Sequence, residues 1–139
     1  MRMRLAVEFS RVEERFLKEN DVGRLATVSP DGIPHIVLVC YICSSGGLWV
    51  AIDYGTRKYR NILANDKVAL LVDAGYDSNR GVVVQGRARI FERGAEFREI
   101  YSAFHKRFAW VRAEPWKEGE VPFIKIEPIR KASWGMKPE

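Results

Sequence analysis

A chain of 139 residues, 47% hydrophobic and 29% charged, has the size and composition of one domain, residues 1–139, able to bury roughly 68% of its unfolded-chain surface without disulfides or metals. No segment approaches the ~20 apolar residues of a membrane helix, and after the basic start Met1-Arg2-Met3-Arg4 only Leu5, Ala6 and Val7 precede Glu8, too few for an export signal; the cytoplasm is the expected location. The formal charge of +5 suits an anionic small molecule, but the basic residues are dispersed among 18 Asp and Glu, so neither nucleic acid nor a membrane is an expected partner.

In chain order, Ser10-Arg11-Val12-Glu13 has the S-x-x-E form of a capping box, and Val12, Phe16 and Leu17 recur at helical spacing, predicting a short amphipathic helix to Asn20-Asp21. The apolar, β-branched runs 23–28 and 33–43, divided by Ser29-Pro30-Asp31-Gly32, read as an antiparallel hairpin. A second turn, Ser44-Ser45-Gly46-Gly47, leads into a strand at 48–54. Thr56 is then placed to cap a helix in which Tyr59, Ile62 and Leu63 share a face, stopping at Asn65. Strands follow at 67–73 and 82–91, the second with Val82, Val84, Gly86, Ala88 and Ile90 inward. Gly94 precedes the longest helix, marked by Phe97, Ile100, Tyr101, Phe104 and Phe108. A loop with Pro115, Trp116 and Gly119 leads to a last strand at 121–126, and residues 128–139 form a tail carrying Trp134. Six strands joined mostly by hairpins, with helices between them, predict a mainly β, α+β fold built as an antiparallel barrel.

Cys40 and Cys43 form a C-x-x-C pair, yet they fall within or just at the end of a β-prone run. Three strand steps separate Cα atoms by ~10 Å, beyond the ~7 Å a disulfide tolerates, and positions three apart face opposite ways. With only His35 and His105 to add, zinc is not expected either, and both cysteines are expected to be buried and structural.

The most informative segment is Asp53-Tyr54-Gly55-Thr56-Arg57-Lys58. A strand ends, Gly55 permits a tight turn, and the first two helical residues are cations. A helix start offers free N–H groups and a positive dipole end, which suit phosphate; cations oppose that dipole by a few tenths of a kcal/mol unless an anion neutralises them. The pattern fits either a phosphate site or a solvated helix start.

The run Gly47-Leu48-Trp49-Val50-Ala51-Ile52-Asp53-Tyr54-Gly55-Thr56-Arg57-Lys58 resembles the flavin-binding segment of the pyridoxamine 5′-phosphate oxidase family. The hairpin from Gly23 to His35 and the stretch from Asn61 to Leu70 are similar to that family's as well. The resemblance implies a six-stranded split β-barrel of the FMN-binding type, pairing as a homodimer with two flavin sites at the interface. It implies phosphate contacts from Arg57 and Lys58, with a hydroxyl from Thr56. It places Ala51 and Ile52 along the flavin ring, beside the strand His35, Ile36, Val37, Leu38, Val39 and Cys40, whose backbone would meet the ring's polar edge. Trp134 would return towards the cofactor.

The sequence departs from the oxidases where His35 and Cys40 replace an Arg and a Lys, and where Gly81 aligns with a Gln. The oxidases' C-terminal Arg-Leu-His-Asp-Arg motif is absent, so vitamin B6 oxidation is not expected. Compact members of this superfamily use FMN or a deazaflavin with an acidic tail. The resemblance thus implies a flavoprotein oxidoreductase acting on a small organic substrate, with a deazaflavin-dependent reductase or a non-catalytic flavin carrier or sensor as alternatives. No acid–base pair stands out as catalytic, which suits chemistry performed by a cofactor ring.

Overall fold

The computed structural model describes residues 7–137; the basic start on which the expectation about export rested, and the last two residues of the tail, lie outside them. The first helix, α1 (Arg11–Glu19), begins on the expected capping box: the Glu13 N–H donates to Ser10 Oγ at 3.1 Å and the Ser10 N–H to Glu13 Oε1 at 2.8 Å. Phe16 and Leu17 are buried beneath it. The first hairpin joins β1 (Val22–Val28) to β2 (Pro34–Cys40), in register from Val28 opposite Pro34 to Val22 opposite Cys40. Its turn closes with the Gly32 N–H on the Ser29 carbonyl, and Gly32 takes a φ of 85°, a left-handed conformation that favours glycine.

The strand expected over 33–43 is interrupted at Tyr41. That residue is buried; its N–H donates to the Asp21 carbonyl and its hydroxyl to the Leu17 carbonyl at 2.6 Å. The chain therefore leaves one ladder there and starts another, β3 (Ile42–Ser44), which pairs with β4 (Gly47–Ala51). After α2 (Arg57–Ala64) come β5 (Lys67–Asp73), β6 (Gly81–Phe91), α3 (Ala95–Arg107), the short α4 (Ala109–Ala113) and β7 (Phe123–Trp134). Two expectations need correction at the C-terminal end. Part of the supposed loop is α4, and the supposed tail up to Trp134 is the second half of a twelve-residue strand. Pro128 disguises that strand in sequence. It is accommodated where the ladder breaks register, Gln85 facing Arg130 while Gly86 faces Pro128, so that Ile129 is an extra, bulged residue.

The strands form one antiparallel sheet of seven, in the order β2-β1-β5-β6-β7-β4-β3, rather than the six expected. Its two end strands, β2 and β3, are consecutive in the chain, and the sheet curls until β2 approaches β4. The result is an α+β split barrel. Inside lie Leu25, Leu48, Leu70, Val82, Val84 and Ile126 with Phe16 and Leu17 from α1. A second cluster forms where Phe97, Ile100 and Phe104 of α3 pack on Trp49 and Phe123. Each such side chain, fully buried, contributes roughly 1.5–3 kcal/mol, which explains why the aromatic stripe of α3 is core.

Candidate anion-binding site at the open seam

Asp53 to Thr56 form the turn that launches α2. The Thr56 hydroxyl donates to the Asp53 carbonyl at 2.7 Å, and the Tyr59 N–H donates to Thr56 Oγ1 at 3.4 Å. Thr56 is thus the N-cap, as its position in sequence implied. Of the helix's first N–H groups, those of Thr56 and Tyr59 are engaged, whereas those of Arg57 and Lys58 have no acceptor among the described residues. No acidic residue lies in the first turn, and neither the exposed Arg57 nor the half-buried Lys58 is ion-paired within the described chain. The first turn of α2 thus carries two free N–H groups, two unpaired cations and the positive end of a helix dipole, a combination suited to a dianion such as a phosphate monoester.

A buried polar pair docks this helix on the sheet. Asn61 is 3% exposed, and its amide donates to the Thr27 hydroxyl at 3.0 Å. Of the face expected to hold Tyr59, Ile62 and Leu63, Ile62 is buried and Tyr59 packs on the core, but Leu63 is exposed and Asn61 is buried beside Ile62 instead. Thr27 lies directly opposite His35 in the β1–β2 ladder. Helix α2 and the beginning of β2 are therefore joined through one hydrogen bond and one cross-strand pair. His35 is half-buried, and its Nδ1 is buried without a partner among the described residues, the kind of orphaned group a ligand atom would satisfy.

Along β2, His35, Val37 and Val39 face inward, while Ile36 and Leu38 are 63% and 66% exposed. β2 pairs only with β1, so its other edge presents unpaired backbone groups at the seam opposite β4. At the far end of β2, Cys40 is only partly buried, which corrects the expectation of two buried cysteines; Cys43 alone is fully so. Burial pushes the Cys40 thiol up in pKa, with the Trp110 indole N–H bonding to it and pulling the other way. Burial pushes Cys43 up to about 11. Both thiols stay protonated near neutrality and are poor nucleophiles.

The remaining sequence-derived residues divide. Ala51 is half-buried at the end of β4, close to the seam. Ile52 is wholly buried in the barrel interior, its side chain part of the core, and its N–H donates to the Pro122 carbonyl. Trp134 stands on the outer face of β7, four strands from β2, or roughly 19 Å along the sheet. It explains Gly81: the two are directly opposed, and a Cβ on Gly81 would collide with the Trp134 indole. That pairing and the Asn61–Thr27 bond escaped sequence reasoning. A polar residue on the apolar face of α2 was the available signal for Asn61, and nothing local signals the other.

The outer sheet face has its own pattern. One row reads Ile36, Ala26, Ala69, Gln85, Arg130 across five strands, and its neighbour reads Leu38, Arg24, Leu71, Val83, Ala132. A shallow cavity of about 490 Å³ opens over Ala26 and Ala69, rimmed by Lys67, Gln85 and Arg130. Among the described residues, no cluster of three or more His, Cys, Asp or Glu could hold a metal ion, and no helix is long and apolar enough to cross a membrane.

An antiparallel split barrel with a basic helix start at its seam defines a class of cofactor-binding folds. The chain belongs to the pyridoxamine 5′-phosphate oxidase family, whose model matches residues 11–134. A relative from Streptomyces rimosus subsp. rimosus, a 5a,11a-dehydrotetracycline/5a,11a-dehydrooxytetracycline reductase, is 30% identical over 136 residues, covering 92% of this chain and 84% of the relative. Among solved structures, an FAD-binding protein from Mesorhizobium loti superposes with a TM-score of 0.71 at 25% identity, over 94% of this chain and 97% of the other. An F420 reductase superposes with a TM-score of 0.64 at 25% identity, over 86% and 94%.

Proposed function

We propose that this protein is an FMN-dependent oxidoreductase that acts as a homodimer on a small organic substrate. The observation that carries the reading is the start of α2, where Arg57, Lys58 and their free N–H groups stand without an acidic partner on a helix tied through Asn61 and Thr27 to the β1–β2 pair. Arg57 and Lys58 bind the phosphate, the Thr56 hydroxyl joins them by exchanging its bond to the Asp53 carbonyl for one to a phosphate oxygen, and Ala51 with the β2 backbone from His35 through Ile36, Val37, Leu38 and Val39 to Cys40 borders the ring. FMN supplies the hydride or electron transfer when bound; the protein binds, orients and shields it. Ile52 contributes through its backbone only, since its side chain is buried.

Pairing follows from the outer face. Ile36 and Leu38 protrude, the row beside them dips over Ala26 and Ala69, and an isologous contact sets the knobs of one copy in the hollow of the other. Trp134, on the outer face four strands along the sheet from β2, then serves the cofactor bound by the second copy. The reductase relative supports a reducible organic compound as the substrate class.

The likeness to an F420 reductase supports a second reading, in which a deazaflavin with an acidic tail occupies the same seam and the unpaired cations meet that tail. The absorbance spectrum of freshly purified protein separates the two, because flavin and deazaflavin differ in colour. Bound FMN that Lys58→Glu removes from a folded protein is the expected result. A colourless protein that binds neither added FMN nor a deazaflavin overturns both readings. Bound FMN that no organic substrate oxidises or reduces leaves a carrier or sensor.

A further inference from the structure

The bulge at Ile129 gives β7 two halves whose registers are independent. Before it, pairing with β6 is fixed by the core residues Phe123, Ile124 and Ile126. Beyond it, Lys131 and Ser133 lie opposite the buried Val84 and Val82 and so face inward, while Ala132 and Trp134 face outward. A slip of one residue, which a bulge can absorb, would exchange the two faces and turn Trp134 inward.

A carboxylate on α1 opposes that slip. Glu13 is 6% exposed, and its Oε1 accepts from Lys131 Nζ while its Oε2 accepts from Ser133 Oγ at 2.6 Å. It thus grips both inward side chains of the terminal half and neither outward one. The same residue completes the capping box of α1, so the grip is held on a rigid, capped helix. The neighbouring contacts fit only this register: the Trp134 indole lies over Gly81, and Gly135, at φ 70°, approaches the Asn79 carbonyl too closely for any Cβ.

We propose that Glu13 is a positioning residue, clamping Lys131 and Ser133 to set the register of the last half-strand and so hold Trp134 outward, where a cofactor bound to a second copy meets it. The proposal rests on the reading that Trp134 serves the cofactor.

Glu13→Gln isolates the clamp. Glutamine still serves the capping box through its carbonyl oxygen, but it removes the negative charge that pairs with Lys131 and replaces the carboxylate oxygen at Ser133 with an amide, so that the charge-assisted bonds of the clamp are lost. Hydrogen exchange on the full-length protein without ligand should show residues 129–136 exchanging roughly tenfold faster or more in Glu13→Gln, with β1 and β5 unchanged. Unchanged protection at 129–136 overturns the proposal.

Titration with FMN then reads the consequence. Glu13→Gln and Trp134→Ala should each weaken binding, and the double variant should bind no more weakly than the poorer single one, because Glu13 acts through Trp134. Losses that simply add would mark Glu13 as a general structural residue and overturn the proposal. Full affinity in Trp134→Ala would overturn it through its premise. Loss in Trp134→Ala with full affinity in Glu13→Gln would remove the clamp alone.

Discussion

Arg57 and Lys58 stand where a helix tolerates cations poorly, and among the described residues no carboxylate pairs with them. Their replacement should therefore cost affinity for a phosphorylated ligand and little stability. Arg57→Ala or Lys58→Ala should each weaken FMN binding about tenfold, or ~1.4 kcal/mol, measured by fluorescence quenching. Thermal unfolding of the ligand-free variants should stay near the parent; a large fall would mark the pair as structural. Glu13 behaves in the opposite sense. Burial opposes its ionisation, but hydrogen bonds from Lys131, Ser133 and the Ser10 N–H, with the charge of Lys131, outweigh burial and lower its pKa from 4.5 to about 2. The unfolded chain therefore takes up this proton first. The stabilisation is fully present above about pH 4.5 and is lost as pH falls towards 2. Denaturant unfolding should show Glu13→Gln destabilised at neutral pH, with the gap to the parent narrowing below about pH 4.5. A constant gap down to pH 2 would contradict the assignment.

The helix α2 owes its seat to Asn61 and Thr27 as much as to Ile62, since both polar groups are buried and each is the other's partner. Thr27→Val keeps the shape but strands the Asn61 amide, and should cost roughly 1–3 kcal/mol by denaturant unfolding. A cost near zero would show that the amide finds another acceptor. The contrast between α2 and its neighbours explains what could be read in the sequence. The capping box at Ser10, the Pro-Asp-Gly turn, the strand Lys67–Asp73 and the alternation of Val82 to Ala88 are local signals, and the structure matches each of them. The break at Tyr41 arises from its bonds to Asp21 and Leu17, residues far back in the chain. The strand beyond Pro128 exists because β6 is long enough to pair with it through a bulge. The start of α2 at Thr56, Arg57 and Lys58 was legible because a helix start has its own grammar. The burial of Ile52 follows from the chain's alternation at the strand end, which decides which side chain faces the core.

At the scale of the whole molecule, the curled sheet leaves one apolar face uncovered, and the proposed pairing covers it. Placing charge on the knobs, as in Ile36→Lys with Leu38→Lys, should convert dimer to monomer in sedimentation and weaken cofactor binding with it, since the second copy closes the site. A parent chain that sediments as a monomer at micromolar concentration would contradict the interface. The central claim, that the seam holds a phosphorylated flavin by its phosphate, is tested most directly by titrating the parent protein with FMN and with riboflavin under the same buffer and salt. The account predicts that FMN binds at least about tenfold more tightly, a difference of ~1.4 kcal/mol that shrinks as salt is raised. Equal affinities for the two ligands would contradict it.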